Sequence, residues 1–307
     1  MDGSLPHVSH RLRHFQFALV AFLWACLCMP ALAQDRESRG TYSLSYQYIR
    51  EGKVNITTGK VDIGTSDTHS VLFEVEFSLN DRWELFGSLP FITKRYNGSS
   101  PHNPATLLPN VNESFIDDGD YHSDFQDLKI GVRYSMLTSR FQIKPFVSFG
   151  TPTNDYPIYA HGSVGQGFDN LSIGAVISYM PPLSDAYYSV TATRVFSEKT
   201  QGVNIDRWLL DGEIGYFLNP RFVVKGFFIG RTGNGQKFPD DFPPPRNDTH
   251  WYEHERLLAV EYVLLGAGID WALNERNRLS ISAVTSIHAE MVHEVDVGVS
   301  IGVSRAF

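Results

Sequence analysis

The chain closes on Glu294-Val-Asp-Val-Gly-Val-Ser-Ile-Gly-Val-Ser-Arg-Ala-Phe307. Val295, Val297, Val299, Ile301 and Val303 fall on one parity, and Asp296, Gly298, Ser300, Gly302 and Ser304 on the other. A period of two is that of a strand whose two faces meet unlike surroundings. One face is apolar at five successive positions and the other is polar or bare. The stretch then stops on an aromatic, Phe307.

The same alternation recurs through the chain. Tyr42, Leu44, Tyr46 and Tyr48 oppose Ser43, Ser45 and Gln47, and Val71, Phe73, Val75, Phe77 and Leu79 oppose Glu74, Glu76 and Ser78. Leu128, Ile130, Val132, Tyr134 and Met136 oppose Lys129 and Arg133, and Trp208, Leu210, Ile214 and Tyr216 oppose Asp211 and Glu213. Charge confined to one face is what a strand between lipid and an aqueous lumen requires. Outside the N-terminus no apolar run approaches the roughly 18 residues that a spanning helix needs. A membrane could then be crossed only by strands closed into a barrel, because an open edge in hydrocarbon leaves backbone groups unpaired at several kcal/mol each. A last strand that is amphipathic and ends in Phe resembles the closing strand of bacterial outer-membrane β-barrels. There the terminal Phe belongs to the signal read by the assembly machinery, which gives Phe307 its expected role.

Tight turns separate the strands in pairs. Leu79-Asn-Asp-Arg82, Leu137-Thr-Ser-Arg140, Leu218-Asn-Pro-Arg221 and Leu273-Asn-Glu-Arg276 form an internal repeat, with Pro181-Pro-Leu-Ser-Asp185 in a fifth such place. Apolar parity is kept across the turns at Asn80, Asn219 and Asn274, so each of these loops should hold an odd number of residues. Parity switches at Thr138, which calls for an even loop. Longer polar connections lie between the hairpins, at about 50–69, 96–122, 152–167, 198–203 and 233–255, with a short one near Glu290. Short turns at one end and long loops at the other are the asymmetry of outer-membrane barrels, and the count is twelve strands, all antiparallel. Tyr46, Tyr48, Trp83, Tyr134, Tyr179, Trp208, Tyr216 and Trp271 sit near strand ends, as aromatic girdles do.

The N-terminus has His10, Arg11, Arg13 and His14, an apolar run from Phe15 to about Met29, and then Ala31-Leu32-Ala33. This is the pattern of a secretory signal cut after Ala33, which leaves 34–307 as the barrel domain. Both cysteines, Cys26 and Cys28, leave with it. The mature chain then has no thiol for a disulfide, a nucleophile or a metal. Losing two arginines and one aspartate takes the formal charge from -8 to -9. Such an acidic balance argues against nucleic acid as a partner. The expected location is the outer membrane, with its lipid and lipopolysaccharide, the assembly machinery and a small solute as partners.

Parity assigns the inward residues. Glu74, Glu76, Glu84, Asp127, Asp211, Glu213 and Asp270 share the inner face with Lys129, Arg133, Lys144, Lys225 and Arg278. About twelve strands lie between barrels filled by side chains at eight and open porins at sixteen. These charges therefore either line a narrow aqueous path or fill the lumen as an ion-paired lattice.

Two constellations have the form of catalytic sites. His250-Trp-Tyr-Glu-His254 matches H-x-x-E-H, the inverted zinc-protease pattern, which needs one helical face to present both histidines. It follows Phe242-Pro-Pro-Pro245 and runs into a strand without a helical pattern, so a solvated loop is the expected form and no metal or cofactor is assigned. His161-Gly-Ser163 suggests a hydrolase of the phospholipase type, since outer-membrane phospholipase A is also a twelve-stranded barrel with a His-x-Ser pair. Val164 stands where that family has Asn, and the orienting third member of a triad is missing. Asp117-Asp-Gly-Asp120 could attract calcium, although loop carboxylates are usually solvated.

Three segments carry a family resemblance. Leu79-Asn-Asp-Arg-Trp-Glu-Leu-Phe-Gly-Ser-Leu-Pro-Phe91, Asp124-Phe-Gln-Asp-Leu-Lys-Ile-Gly-Val-Arg-Tyr134 and Gly165-Gln-Gly-Phe-Asp-Asn-Leu-Ser-Ile-Gly174 resemble hairpins of the outer-membrane proteins associated with the meta-pathway of phenol degradation. The likeness runs over most of the chain from about Tyr42. It implies a non-enzymatic barrel that passes small organic molecules, hydrophobic and aromatic ones among them. The family offers no catalytic residues to carry over. The alternatives are the hydrolase using His161 and Ser163 and a plugged structural or ligand-sensing barrel.

Overall fold

The computed structural model describes residues 39–98, 116–138, 140–158, 161–243 and 249–307. The expected signal and its cleavage after Ala33 lie outside them. The strands are β1 (Gly40–Ile56), β2 (Gly59–Val61), β3 (Gly64–Ser78), β4 (Trp83–Gly98), β5 (His122–Phe125), β6 (Leu128–Tyr134), β7 (Met136–Leu137) and β8 (Gln142–Thr151). They continue with β9 (Asn170–Tyr179), β10 (Ala186–Ser197), β11 (Arg207–Asn219), β12 (Phe222–Gly233), β13 (Glu261–Ala272), β14 (Asn277–Glu290) and β15 (Val292–Ala306). Two helices of four residues each, α1 (Thr249–Tyr252) and α2 (His254–Leu257), precede β13.

Each wall strand pairs antiparallel with its sequence neighbour, and β15 pairs back onto β1, so the sheet has no edge. Short β2, β5 and β7 pair with β1, β4 and β8, which leaves twelve strands in the closed wall. The seam runs from Thr41↔Ala306 through Tyr46↔Ile301 to Arg50↔Val297 without a break, and shifts register only beyond Arg50. Phe307 extends it: its carbonyl accepts from the N–H groups of Arg39 (2.7 Å) and Gly40 (3.1 Å), and its own N–H donates to Gly40 O at 2.9 Å.

The turn parities hold at Asn80, Thr138 and Asn274, and at Asn219 an irregularity intervenes. Leu79 N–H donates to Trp83 O and Leu273 N–H to Asn277 O, each closing a loop of three residues. Met136↔Ile143 and Leu137↔Gln142 frame an even loop around Thr138. At Asn219 the strands match as Phe217↔Val223, and a register shift then brings Asn219 opposite Phe222. The Asn side chains explain the repeat. Oδ1 of Asn80, Asn219 and Asn274 each accepts from the backbone N–H groups two and three residues on, an Asx turn that Asn forms readily.

One expected loop is a strand. Residues 50–69 form a β-ribbon, because β1 runs on to Ile56 and β3 already begins at Gly64. The cause is Val54 and Ile56, β-branched residues that continue pairing after the irregularity at Glu51 has broken the alternation. These strands of 17 and 15 residues exceed the 9–11 needed to span, so they project beyond the membrane.

The outer face exposes Phe73, Leu85, Ile130, Phe149, Ile173, Leu210, Ile214, Leu265, Ile281 and Ile301 around the whole wall. In water such a belt would be a large exposed apolar patch. In lipid it is the solvated face. Rings cluster at the short-turn end, with Trp83 and Tyr134 4.8 Å apart, Phe222 and Trp271 stacked at 5.4 Å, and Tyr42 and Phe307 at 6.0 Å. The compact apolar core is not in the barrel wall. Phe242, Trp251, Leu257, Leu258, Val260 and Met291 bury one another at the long-loop end.

Candidate functional site: the barrel lumen

The residues opposite the apolar belt form two ion-paired groups toward the short-turn end. On one wall Arg133 of β6 reaches Glu76 of β3 and Glu84 of β4, both at 2.6 Å, while Lys144 of β8 adds a 3.3 Å contact to Glu84. On the other, Lys225 of β12 sits between Asp270 of β13 at 3.2 Å and Glu213 of β11 at 3.4 Å, and the Tyr187 hydroxyl donates to Glu213 at 2.5 Å. Each group runs along consecutive strands, with Arg133–Glu76 and Lys144–Glu84 each reaching across one intervening strand, so the charges neutralise one another along the wall. Glu74 takes the Ser43 hydroxyl at 3.1 Å, and Arg278 stands beside Ser304 on the neighbouring strand.

Aromatic rings share this face, and each lies against a glycine. A Cβ on Gly131 would stand 2.3 Å from Phe86, one on Gly174 2.6 Å from Phe146, one on Gly215 2.1 Å from Tyr187, and one on Gly266 2.3 Å from Phe227. Only a bare α-carbon lets a ring come this close to the neighbouring strand. Phe86 and Phe146 meet edge to face at 6.0 Å, and the Arg133 guanidinium carbon stands 4.3 Å from the Phe86 ring centroid. These rings went unread in the sequence although the signal was present. Phe86, Phe146 and Phe227 lie two residues from Glu84, Lys144 and Lys225, on the same parity.

The long-loop end differs. Lys129 of β6 and Arg231 of β12 make no hydrogen bond or ion pair among the described residues, and Arg207 of β11 bonds only the neutral oxygens of Ser197 (2.9 Å) and Asn170 (3.3 Å). Arg207 and Arg231 were also missed, although their parity matches Asp211 and Lys225. Asp127 accepts the Tyr156 hydroxyl at 2.5 Å. Burial and that carboxylate both push the Tyr156 hydroxyl's pKa up, which keeps it a donor.

Above this level the connections pack inward. His161 is buried, its ring stacked on Tyr96 at 4.5 Å, with Nδ1 3.2 Å from Glu255. Ser163 Oγ is buried and makes no hydrogen bond among the described residues. The structure therefore does not join His161 to Ser163 as base and nucleophile. The H-x-x-E-H segment departs from expectation in being helical, but α1 and α2 are single turns. His254 Nδ1 donates to Trp251 O at 2.7 Å and its Nε2 lies 3.2 Å from Glu255, while Glu253 pairs with Arg256 at 3.3 Å. The polar atoms of His254 and Glu253 are thus turned to protein partners.

The acidic loop is likewise occupied. Asp117 accepts from the N–H groups of His161 (3.2 Å) and Gly162 (2.8 Å), and Asp118 contacts His122 at 2.9 Å. Burial would raise the Asp118 pKa, but the His122 contact and the Asp120 N–H outweigh it and hold the carboxyl below its usual range. Elsewhere Glu261, His288 and Glu290 bring one donor atom each within 4.8 Å of one another at the long-loop end of β13 and β14. Glu290 is shared there with Lys237 at 3.3 Å.

A closed antiparallel wall with an apolar belt outside and a charged, ring-bearing face inside defines a transmembrane β-barrel. Its fold is that of outer-membrane barrels. No protein-family model matches the chain, and no curated protein sequence matches it. Among solved structures, the COG4313 outer membrane channel from Pseudomonas putida F1 is similar with a TM-score of 0.66 at 11% identity, over 91% of this chain and 99% of that one. The NanC porin is similar with a TM-score of 0.50 at 10% identity, over 87% of this chain and 100% of that one.

Proposed function

We propose that the protein is a passive channel of the outer membrane for small organic molecules, aromatic ones among them, and belongs with the barrels associated with phenol degradation. The observation that carries this reading is how the inner wall is arranged. The tips of its rings rest against glycines of the wall, and its charges pair with one another along consecutive strands, so large side chains lie along the wall instead of crossing the lumen. Glu74 and Lys129 face inward and remain exposed, which supports a wet path over a filled one. On this reading Glu74, Glu76, Glu84, Arg133, Lys144, Asp211, Glu213, Lys225, Asp270 and Arg278 set its polarity.

Solute-dependent swelling of liposomes carrying the purified barrel tests the proposal. A series from pentoses to phenols should enter at rates that rank by size and polarity. Liposomes closed to the whole series would overturn it. Phospholipid hydrolysis lost on Ser163→Ala would replace it with the hydrolase.

A further inference from the structure

The two ends of the lumen treat charge in opposite ways. Toward the short turns, Arg133, Lys144 and Lys225 each lie within 3.4 Å of at least one carboxylate. Toward the long loops, Lys129, Arg207 and Arg231 have no carboxylate at ion-pair distance, although each lies within electrostatic range of at least one of the others. Arg231 Nε is buried without a hydrogen-bond partner, and Arg207 is held by two neutral oxygens. A buried donor left without a partner is costly, and guanidinium groups brought together repel.

The carboxylates within range do not pair with these cations. Asp127 is engaged by Tyr156, Asp206 pairs with Arg194, Glu74 takes the Ser43 hydroxyl, and Asp211 makes no ion pair. Arg231 stands opposite Tyr262 on β13, with Ile229 and Phe227 following it inward on the same strand.

We infer that Arg207, Arg231 and Lys129 form a binding station for a carboxylate, and that the solute class of this channel is small organic anions, with aromatic carboxylates fitting both the guanidinium pair and the rings below. The inference rests on the channel reading and narrows it. A planar guanidinium takes a carboxylate through two parallel N–H···O bonds, which supplies what Arg231 lacks. The carboxylate also relieves the repulsion between the two arginines. The apolar remainder of the solute then faces Ile229 and Phe227.

Planar-bilayer recording with the full-length mature barrel tests this. Under a potassium chloride gradient the reversal potential should show anion preference, and benzoate should interrupt the current where benzyl alcohol does not. Arg231→Gln and Arg207→Gln should each weaken the benzoate effect at least tenfold. Arg82→Gln, an equal charge change at a short turn, should leave it unchanged. A conducting barrel that prefers cations, or one whose benzoate response survives Arg231→Gln, overturns the carboxylate station while the channel stands. If no current flows, the channel reading fails. Calorimetric titration of the detergent-solubilised barrel with benzoate then decides the station alone, with no benzoate binding, or binding unchanged in Arg231→Gln, counting against it. Heat-modifiable migration of each variant on a denaturing gel confirms folding.

Discussion

Gly131→Ala should both destabilise the barrel and narrow it. The added Cβ would stand 2.3 Å from Phe86 Cζ, 2.6 Å from Phe86 Cε1 and 2.6 Å from Ser148 Cβ. Non-bonded carbons settle at about 3.5–4.0 Å, so the ring must retreat by about 1 Å or more. Ser148 is fixed to the backbone of β8, which leaves the lumen as the way out. The retreat also takes Phe86 off Arg133. Overpacking costs about 1–3 kcal/mol, and a lost cation–π contact at an accessible site adds about 0.5–1 kcal/mol. A loss of about 1.5–4 kcal/mol follows from those two terms. Guanidinium unfolding of the barrel in lipid vesicles measures it, and single-channel conductance should fall in parallel. Phe86→Ala with Gly131→Ala removes the clash with the ring, though not the one with Ser148, and should restore the conductance. A Gly131→Ala barrel with unchanged midpoint and unchanged conductance would refute the packing argument.

Deleting Phe307 removes three backbone hydrogen bonds and the ring beside Tyr42, and should lower the yield of heat-modifiable barrel in outer-membrane fractions; an unchanged yield would contradict the role given to this residue. Lys225→Met leaves Glu213 and Asp270 without their shared cation and should cost about 1–3 kcal/mol, below the cost of breaking a fully buried pair because all three side chains are partly exposed. Adding Asp270→Asn should recover part of that loss in the same unfolding assay, and an additive further loss would count against the pairing. The depressed pKa of Asp118 stabilises its loop above the ordinary carboxylate range, and that contribution is lost as pH falls through the folded value. Hydrogen exchange at 118–122, corrected for intrinsic rate, should therefore rise in strong acid relative to neutral pH. Asp118→Asn should show the faster exchange at neutral pH.

The wall was legible because lipid and water impose opposite demands on alternate residues. Val71 through Leu79 could face only one way without putting Glu74 and Glu76 into hydrocarbon, and the Asn turns fixed loop parity independently. The long-loop end was legible only in part. Outside the bilayer no solvent contrast enforces alternation, so the ribbon at 50–69 looked like a polar loop and α1 and α2 left no periodic trace. In the lumen the charges stood out and the rings did not. Phe86 counts as apolar in any pattern count, and only its parity relative to Glu84 marks it as inward. Whether Lys144 or Lys129 is paired depends on the distance to other strands, which no spacing along the chain encodes.

The seam between β1 and β15 has a kinetic meaning. It joins the first and last strands of the wall, the most distant contact the chain can make, and such contacts form late because their loop-closure entropy is the largest. Until it forms, the growing sheet carries two unsatisfied edges that are complementary in register to each other, and to the edges of any second copy. Concentration therefore sets a race between closing on itself and pairing with a neighbour. A dilute chain wins it alone, and a crowded one needs its two ends held together.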